Sequence, residues 1–418
     1  MSSSEQSSDV ARAVARAHDE EWAYVLAATV RVTRDLDLAE DCVQDAYARA
    51  LAHWPATGIP QKPGAWLTTV ARRRALERLR RASTLARKLP LLIVDNGPIL
   101  PDERMGEAAF PDDRLRLIFT CCHPSLSPDA QLALTLRLVC GLTSAEVARA
   151  FLVKEATMQA RITRAKQKIA EAGIPYRVPG PHELLERVGV VLDAIHLLHS
   201  SGYTAASGVE LVRGDLAARA LDLATVMHTL IPDNSEVKGL LALLKLTEAR
   251  RPARISPSGQ LILMEDQDRS LWDQSAIETG LRLVHEALLI PPAGRYALMA
   301  AIAAVHAEAP HWEDTDWPQL VGLYDLLLQR WPTPVVALNR AVALSFVEGP
   351  AAALDALEEI AVDATLTSYP YLAATRADLF RRLGRTEEAL TAYRDALRLT
   401  KNTAEADFLK RRIAAFRS

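Results

Sequence analysis

The prolines and glycines of this chain gather in clusters, and between the clusters apolar residues recur at three- and four-residue intervals. No other feature constrains the fold as tightly. Such spacing places the apolar side chains on one face of a helix, and each cluster ends the helix before it. Leu38, Cys42, Ala46, Tyr47 and Ala50 fall on one side of such a stretch, with acids on the other. Alanine and leucine are abundant and β-branched runs are rare, which also favours helix. The expected fold is all-α. At 418 residues the chain is too long for one core, and two or three domains are expected.

Residues 1–8 read as a disordered tail and 9–53 as two amphipathic helices, the second ended by Trp54-Pro55. Thr57–Gly64 is a loop by its composition, and a third helix runs from about Ala65 to Arg81, closing a first module over 9–81. Residues 82–111 lose periodicity, collect Pro90, Gly97, Pro98, Pro101 and Pro111, and read as a linker. A second module over 112–178 opens with helices at Asp112–Cys121 and Pro128–Cys140. Thr143 with Glu146 three residues on is a capping box that starts a short helix ending near Phe151. A three-residue turn leads to a longer helix, about Glu155 to Ala172, and the pair makes a helix-turn-helix.

Alanine-rich helices fill 182–418, with one small hairpin or loop predicted at Arg254–Leu263. Asp378–Leu397 matches the second half of a tetratricopeptide repeat: Gly384 makes the turn, Ala389 and Ala396 permit close approach, and Tyr393 fills between the helices. A weaker copy lies at Leu338–Leu357, with Gly349 at its turn.

No run of about 18 apolar residues is present, so no membrane partner is expected, and the N-terminus has no signal-peptide features, so a cytoplasmic location is expected. Four cysteines do not make a disulfide scaffold. The chain has no P-loop, dinucleotide fingerprint, zinc-protease motif or nucleophile elbow; no enzyme activity, cofactor or metal is expected. Pro310 interrupts the pairing of His306 with His311, and Cys121-Cys122-His123 reads as buried thiols in a helix. Asp193, His196 and His199 share a helical face and read as bonds to a neighbouring helix. Glu265–Asp273 puts four acids around Arg269 and Trp272, either as capping acids facing solvent or as a clamp for a partner or for the N-terminal modules.

The net charge of −3 argues against a nucleic-acid binder, but the distribution of that charge points the other way. Residues 1–180 carry 25 basic and 21 acidic side chains, and the remainder 24 and 31. Lys62–Lys88 holds nine basic residues and one acid; Asp19–Asp45 holds eight acids and two basic residues. One patch attracts a polyanion and its neighbour repels it, so two different partners are implied. On the third helix, Arg72, Arg73, Arg74, Arg78, Arg80 and Arg81 are candidate phosphate contacts, with Trp66, Leu67, Val70, Leu76 and Leu79 lining a buried side. On the second helix of the helix-turn-helix, Lys154, Arg161, Arg164, Lys166 and Lys168 are basic, and Thr157 and Gln159 have the reach to read base edges. Trp54 and Trp66 read as core residues; Trp54, with the loop Thr57–Gly64 beside the arginine helix, is also placed to help hold an unstacked base.

In order and spacing these segments resemble the extracytoplasmic-function type of sigma factor, over residues 9–175. Asp37–Tyr47 looks like the family's region-two helix that docks on the polymerase β′ coiled coil, which implies polymerase contacts at Asp37, Glu40, Asp41, Gln44 and Asp45. Ala65–Arg81 looks like its −10 promoter helix and Leu142–Lys168 its region-four helix-turn-helix for the −35 element, with Lys154, Thr157, Gln159, Arg161, Arg164 and Lys168 on the DNA. The chain has Arg73 where the family often has Asn, and Glu77 where it often has Asp, which bears on base choice at −10. Asp113–Pro124, the helical repeats and Glu265–Asp273 look like one subgroup with a long tetratricopeptide-like C-terminal domain. The resemblance implies an alternative sigma factor whose partners are core polymerase, through its β′ and β subunits, and promoter DNA. The C-terminal domain would regulate it in cis or dock a protein, replacing a membrane-bound antagonist. Two other readings stay open on the residues alone: a stand-alone helix-turn-helix regulator, and a helical-repeat scaffold recruited to DNA.

Overall fold

The computed structural model describes residues 3–88, 113–151, 153–203, 214–257, 259–361, 363–367 and 369–416. Within these, regular structure is helical apart from one antiparallel bridge, between Ile255 and Leu261. Contacts divide the chain into two units, 1–194 and 195–418.

The first unit opens with α1 (Ser3–Thr33), α2 (Leu36–Thr57) and α3 (Pro63–Lys88). The segment read as a disordered tail continues α1 from Ser3, because its serines and glutamate do not break a helix that the apolar stripe has already nucleated. Val10, Val14, Ala17, Val25, Leu26 and Val30 bury that stripe. Arg34 at φ 51 turns the chain, and Asp35 caps α2 by accepting from Leu38 N at 2.8 Å. Trp54-Pro55 does not end α2. The helix passes through Pro55 to Thr57 and stops at Gly58, φ 84. Proline is tolerated there because it falls in the last turn, beside the exposed Leu51 whose carbonyl water can reach. Residues 82–88 of the expected linker extend α3; residues 89–111 lie outside the described residues.

The unit continues with α4 (Asp113–Cys121), α5 (Pro128–Leu134), α6 (Ser144–Ala150), α7 (Glu155–Glu171) and α8 (Pro181–Tyr203), the last crossing into the second unit. The helix expected over Pro128–Cys140 widens at Thr135–Val139 into a π-turn, with Cys140 N bonding Thr135 O at 3.0 Å. Cys121, Cys122 and Cys140 form no disulfide and are buried, and burial pushes the Cys122 thiol up to about 12, which suits a packing group. α1 packs against α4 as well as α2 and α3, so both arms of the sequence share one core. Trp22 Nε1 donates to Leu138 O at 3.1 Å, and the Tyr176 hydroxyl reaches Ala27 O at 2.9 Å.

The second unit comprises α9 (Gly214–Leu230), α10 (Ser235–Ala249), α11 (Gln274–Leu288), α12 (Arg295–Glu308), α13 (Trp317–Arg330), α14 (Pro334–Val347), α15 (Pro350–Ile360), α16 (Ala364–Thr367), α17 (Pro370–Arg382), α18 (Thr386–Leu399) and α19 (Thr403–Ala414). α10 and α12 meet at Gly239, where an added Cβ would lie 2.4 Å from Ala297 N. The repeat-like segments form the pairs α14–α15 and α17–α18, with Gly349 (φ 91) and Gly384 (φ 73) at corresponding turns. Ala389, Tyr393 and Ala396 are buried with Leu409 of α19, as the repeat pattern requires. The segment Arg254–Leu263 has the single bridge and little more: Ser256 N bonds Gln260 O, and Ile262 N bonds Arg254 O, each at 2.9 Å.

Glu265–Asp273 forms two short 3-10 turns. Asp268 and Asp273 accept from Ser270 N and Ala276 N at 2.9 and 3.0 Å, so two of its acids are caps. Arg269 turns inward, donating to His306 O at 2.8 Å and to Ala309 O, and stacks over the buried Trp272. His199 pairs with Glu248 at 3.0 Å, and the His196 ring meets Tyr296 edge-on, each a bond to a neighbouring helix. His306 lies parallel to Trp312 and edge-on to Trp317. Among the described residues no group of three His, Cys, Asp or Glu side chains is placed to hold a metal.

Burial, with Arg250 and Arg269 nearby, pushes His306 down from 6.5 to about 4. Between those values the unfolded chain takes up a proton that the folded chain refuses. The stability of the second unit is therefore predicted to fall as pH drops from about 6.5 to about 4, by roughly 2–3 kcal/mol. Urea melts across that range, compared with His306→Gln, check this: the variant should have a flatter profile.

Candidate nucleic-acid interface

α3 begins at Pro63, a residue suited to a first helical turn, and Gly64 lets it close on α1, since an added Cβ would sit 2.4 Å from the Glu21 carboxyl. Its buried side is Leu67, Ala71 and Ala75, at four-residue spacing. Leu76, expected on that side, is 45% exposed. Ala75 fills the core position instead, and Leu76 falls about 100° further round. It forms the apolar floor of a shallow basin edged by Thr69, Arg72, Arg73, Glu77 and Arg80. Arg72, Arg73, Arg80 and Arg81 are exposed. Arg74 donates to Glu77 at 3.1 Å and holds that carboxyl below its usual range. Arg78 crosses to α2 and bonds both Asp41 and Asp45 at 3.1 Å, so it ties the two helices together. Trp54 is 1% exposed, with Trp66 edge-on to it and half-buried, stacked on the exposed His53.

The helix-turn-helix is closed by its capping box: Glu146 N donates to Thr143 Oγ1 at 3.2 Å, and Thr143 N to the Glu146 carboxylate at 2.8 Å. α7 buries Met158, Ile162, Ala165 and Ile169 and exposes Lys154, Thr157, Gln159, Arg164 and Lys168. Gln159 is braced on Glu155 at 3.0 Å. Arg161 behaves differently from its neighbours. It is half-buried against α5, paired with Asp129 at 3.0 Å and lying over the Phe151 ring.

Lys166 departs furthest from the sequence reading. Expected on the basic outer surface, it points into the unit and bonds Asp37 at 2.8 Å and Glu40 at 2.5 Å. Glu40 is itself buried, 6% exposed, and its other oxygen takes Arg137. Burial alone would push the Lys166 ammonium down, but the Glu40 charge and the bonds from Asp37 and Glu40 hold it above its ordinary value. Four of the five α2 residues expected to face a partner are thus held by basic side chains of the same unit: Asp37 and Glu40 by Lys166, Asp41 and Asp45 by Arg78. Gln44 is exposed between them. Arg137 escaped the sequence reading, although a lone charge inside Leu132–Val139 signals a buried partner.

Replacing Glu40 with alanine takes from Arg137 its carboxylate partner and leaves Lys166 with Asp37 alone. Chemical denaturation of the full chain should show a loss of about 3–5 kcal/mol, against less than about 1 kcal/mol for Gln44→Ala.

Residues 22–84 match the family model of sigma-70 region 2, residues 116–169 that of sigma-70 region 4, and residues 187–288 one described only as a family of unknown function. The chain is 42% identical to an uncharacterized protein of Rhizobium meliloti (strain 1021) over 92% of its own length and 91% of that protein. It is 30% identical to the ECF RNA polymerase sigma factor SigK of Mycolicibacterium vanbaalenii, over 36% of this chain and 77% of the relative. It is 29% identical to a probable ECF RNA polymerase sigma factor, SigI, of Mycobacterium tuberculosis, over 43% of this chain and 61% of the relative.

Proposed function

Because the chain belongs to the extracytoplasmic-function (ECF) RNA polymerase sigma factors, we propose that it directs core polymerase to a set of promoters and starts transcription there. The observation that carries this reading is the pair of exposed cationic surfaces, on α3 and at the start of α7, held in one unit with an acidic α2. Arg72, Arg73, Arg80 and Arg81 would grip the −10 backbone, and Leu76 in the basin between them offers an apolar contact to an unstacked base or sugar. Thr157 and Gln159 would read base edges at −35, with Lys154, Arg164 and Lys168 on phosphates. Arg74, Arg78 and Arg161 act by positioning, since each is held by a carboxylate of the chain.

α2 would meet the β′ coiled coil through Asp37, Glu40, Asp41, Gln44 and Asp45, and the α6–α7 module would meet β. In the arrangement described, Lys166 and Arg137 occupy Asp37 and Glu40, so polymerase binding requires that this contact open. Exchange of an internal lysine for a basic polymerase surface is close to balanced in charge. The second unit would act on this equilibrium in cis or through a docked protein. The chemistry is binding throughout, without a catalytic step.

Reconstituted run-off transcription on genomic fragments tests the proposal: transcripts from specific promoters are expected only with core enzyme present. Tight operator binding without polymerase would favour a stand-alone regulator instead. Arg164→Ala should weaken promoter binding by a similar factor on every sequence and flatten the salt dependence by about one phosphate contact. Arg161→Ala should leave that slope unchanged and lower the melting temperature.

A further inference from the structure

The second unit contains a cavity of about 280 Å³ between α14, α17, α18 and α19, closed on one side by Leu261 and Leu263 of the inserted segment. The sigma-like surfaces lie in the other unit, and nothing in the proposed function uses this cavity. Phe346, Tyr371, Phe408 and Leu409 make its walls, and Ala374, a small residue on α17, leaves the space open. A volume of this size takes a molecule of about ten to fifteen heavy atoms rather than a folded partner.

The polar groups on the wall define what that molecule can be. Arg382 is spent on Ser345, bonding its Oγ at 2.7 Å and its carbonyl at 2.8 Å. Glu405 accepts from the Tyr371 hydroxyl at 2.5 Å. Asp378 is held by Arg381 at 2.7 Å, and Thr400 is bonded to Ala396 O at 2.8 Å. Each of these groups has a partner within the chain, although Asp378 and Glu405 each use a single carboxylate oxygen, which favours no anion. Arg412 is the exception among the charged lining groups. Glu265 stands 3.9 Å away, beyond hydrogen-bond length, the guanidinium lies over the Phe408 ring, and the side chain is 31% exposed at the cavity's edge. The wall is therefore apolar with one under-used guanidinium, and a guanidinium prefers the two oxygens of a carboxylate.

We infer that this cavity is a binding site for a small apolar carboxylic acid, its hydrocarbon body among Phe346, Tyr371 and Phe408 and its carboxylate on Arg412. The acid displaces the loose Glu265 contact, and Glu265 belongs to the turn that follows the inserted segment. Occupancy thereby couples α19 to that segment, which gives a metabolite a handle on the second unit.

Calorimetric titration of the full chain with octanoate, 1-octanol and octylammonium tests the inference, all below their aggregation limits. Octanoate is expected to bind at one saturable site, octanol more weakly, and octylammonium not at all. Arg412→Gln, a surface change, should weaken octanoate about tenfold or more while leaving octanol unaffected. Ala374→Phe fills the space and should abolish both. The inference is overturned if octanoate shows no saturable binding, if octylammonium binds equally well, or if Arg412→Gln leaves the octanoate affinity unchanged. It is also overturned if sedimentation shows concentration-dependent dimers that Ala374→Phe abolishes, since the cavity would then be an interface between two copies. None of these readings depends on transcription, so failure here and failure of the sigma assignment are separable.

Discussion

A single buried carboxylate, Glu40, organises the first unit. It lies on the acidic helix α2, it is almost wholly removed from water, and it draws in one cation from each side: Arg137 from the π-turn after α5 and Lys166 from α7. Removing any one of these charges from water alone would carry the cost of its desolvation, which the pairing offsets. Together they form a small ionic centre that fixes how the three-helix arm α1–α3 sits against the arm α4–α7. Beside it, the hydrogen bond from Trp22 Nε1 to Leu138 O joins the same two arms.

The same centre sets the functional problem. Arg72, Arg80, Thr157 and Gln159, on the surfaces proposed to meet DNA, are exposed while Lys166 of α7 is bonded to α2. On the acidic face only Glu40 is buried, between Arg137 and Lys166; Asp37 and Asp41 stay exposed although Lys166 and Arg78 bond them. On the proposed reading, polymerase would reach Glu40 only after the Lys166 and Arg137 bonds open, and the cost of that opening would enter its affinity.

Much of this was legible in the sequence. Helix positions followed from apolar periodicity, and the Thr143–Glu146 box located the helix-turn-helix to within a residue. The repeat at Asp378–Leu397 was readable because a turn glycine and small residues at fixed offsets leave few alternatives. The failures share one cause. Leu76 and Lys166 were assigned by residue type, but which of two adjacent apolar residues faces inward, and which of five basic residues turns inward, depends on what packs against the helix. Lys166 falls four residues after the buried Ile162 and three before the buried Ile169, so its helical position marked the inner face, and its charge was read as a surface mark instead. Pro55 misled for a related reason, since a proline ends a helix only where the carbonyl it orphans has no other partner.

The most direct test of the account is a distance measured across the ionic centre. Spin labels at Gln44→Cys and Lys168→Cys occupy exposed positions on α2 and α7, and the four native cysteines are buried. Electron–electron double resonance on the free protein should give one short, narrow distance, which Glu40→Ala broadens. Adding core polymerase should shift the population to a longer distance. A free-protein distance that persists unchanged in a transcriptionally active complex would contradict the claim that this contact opens for polymerase.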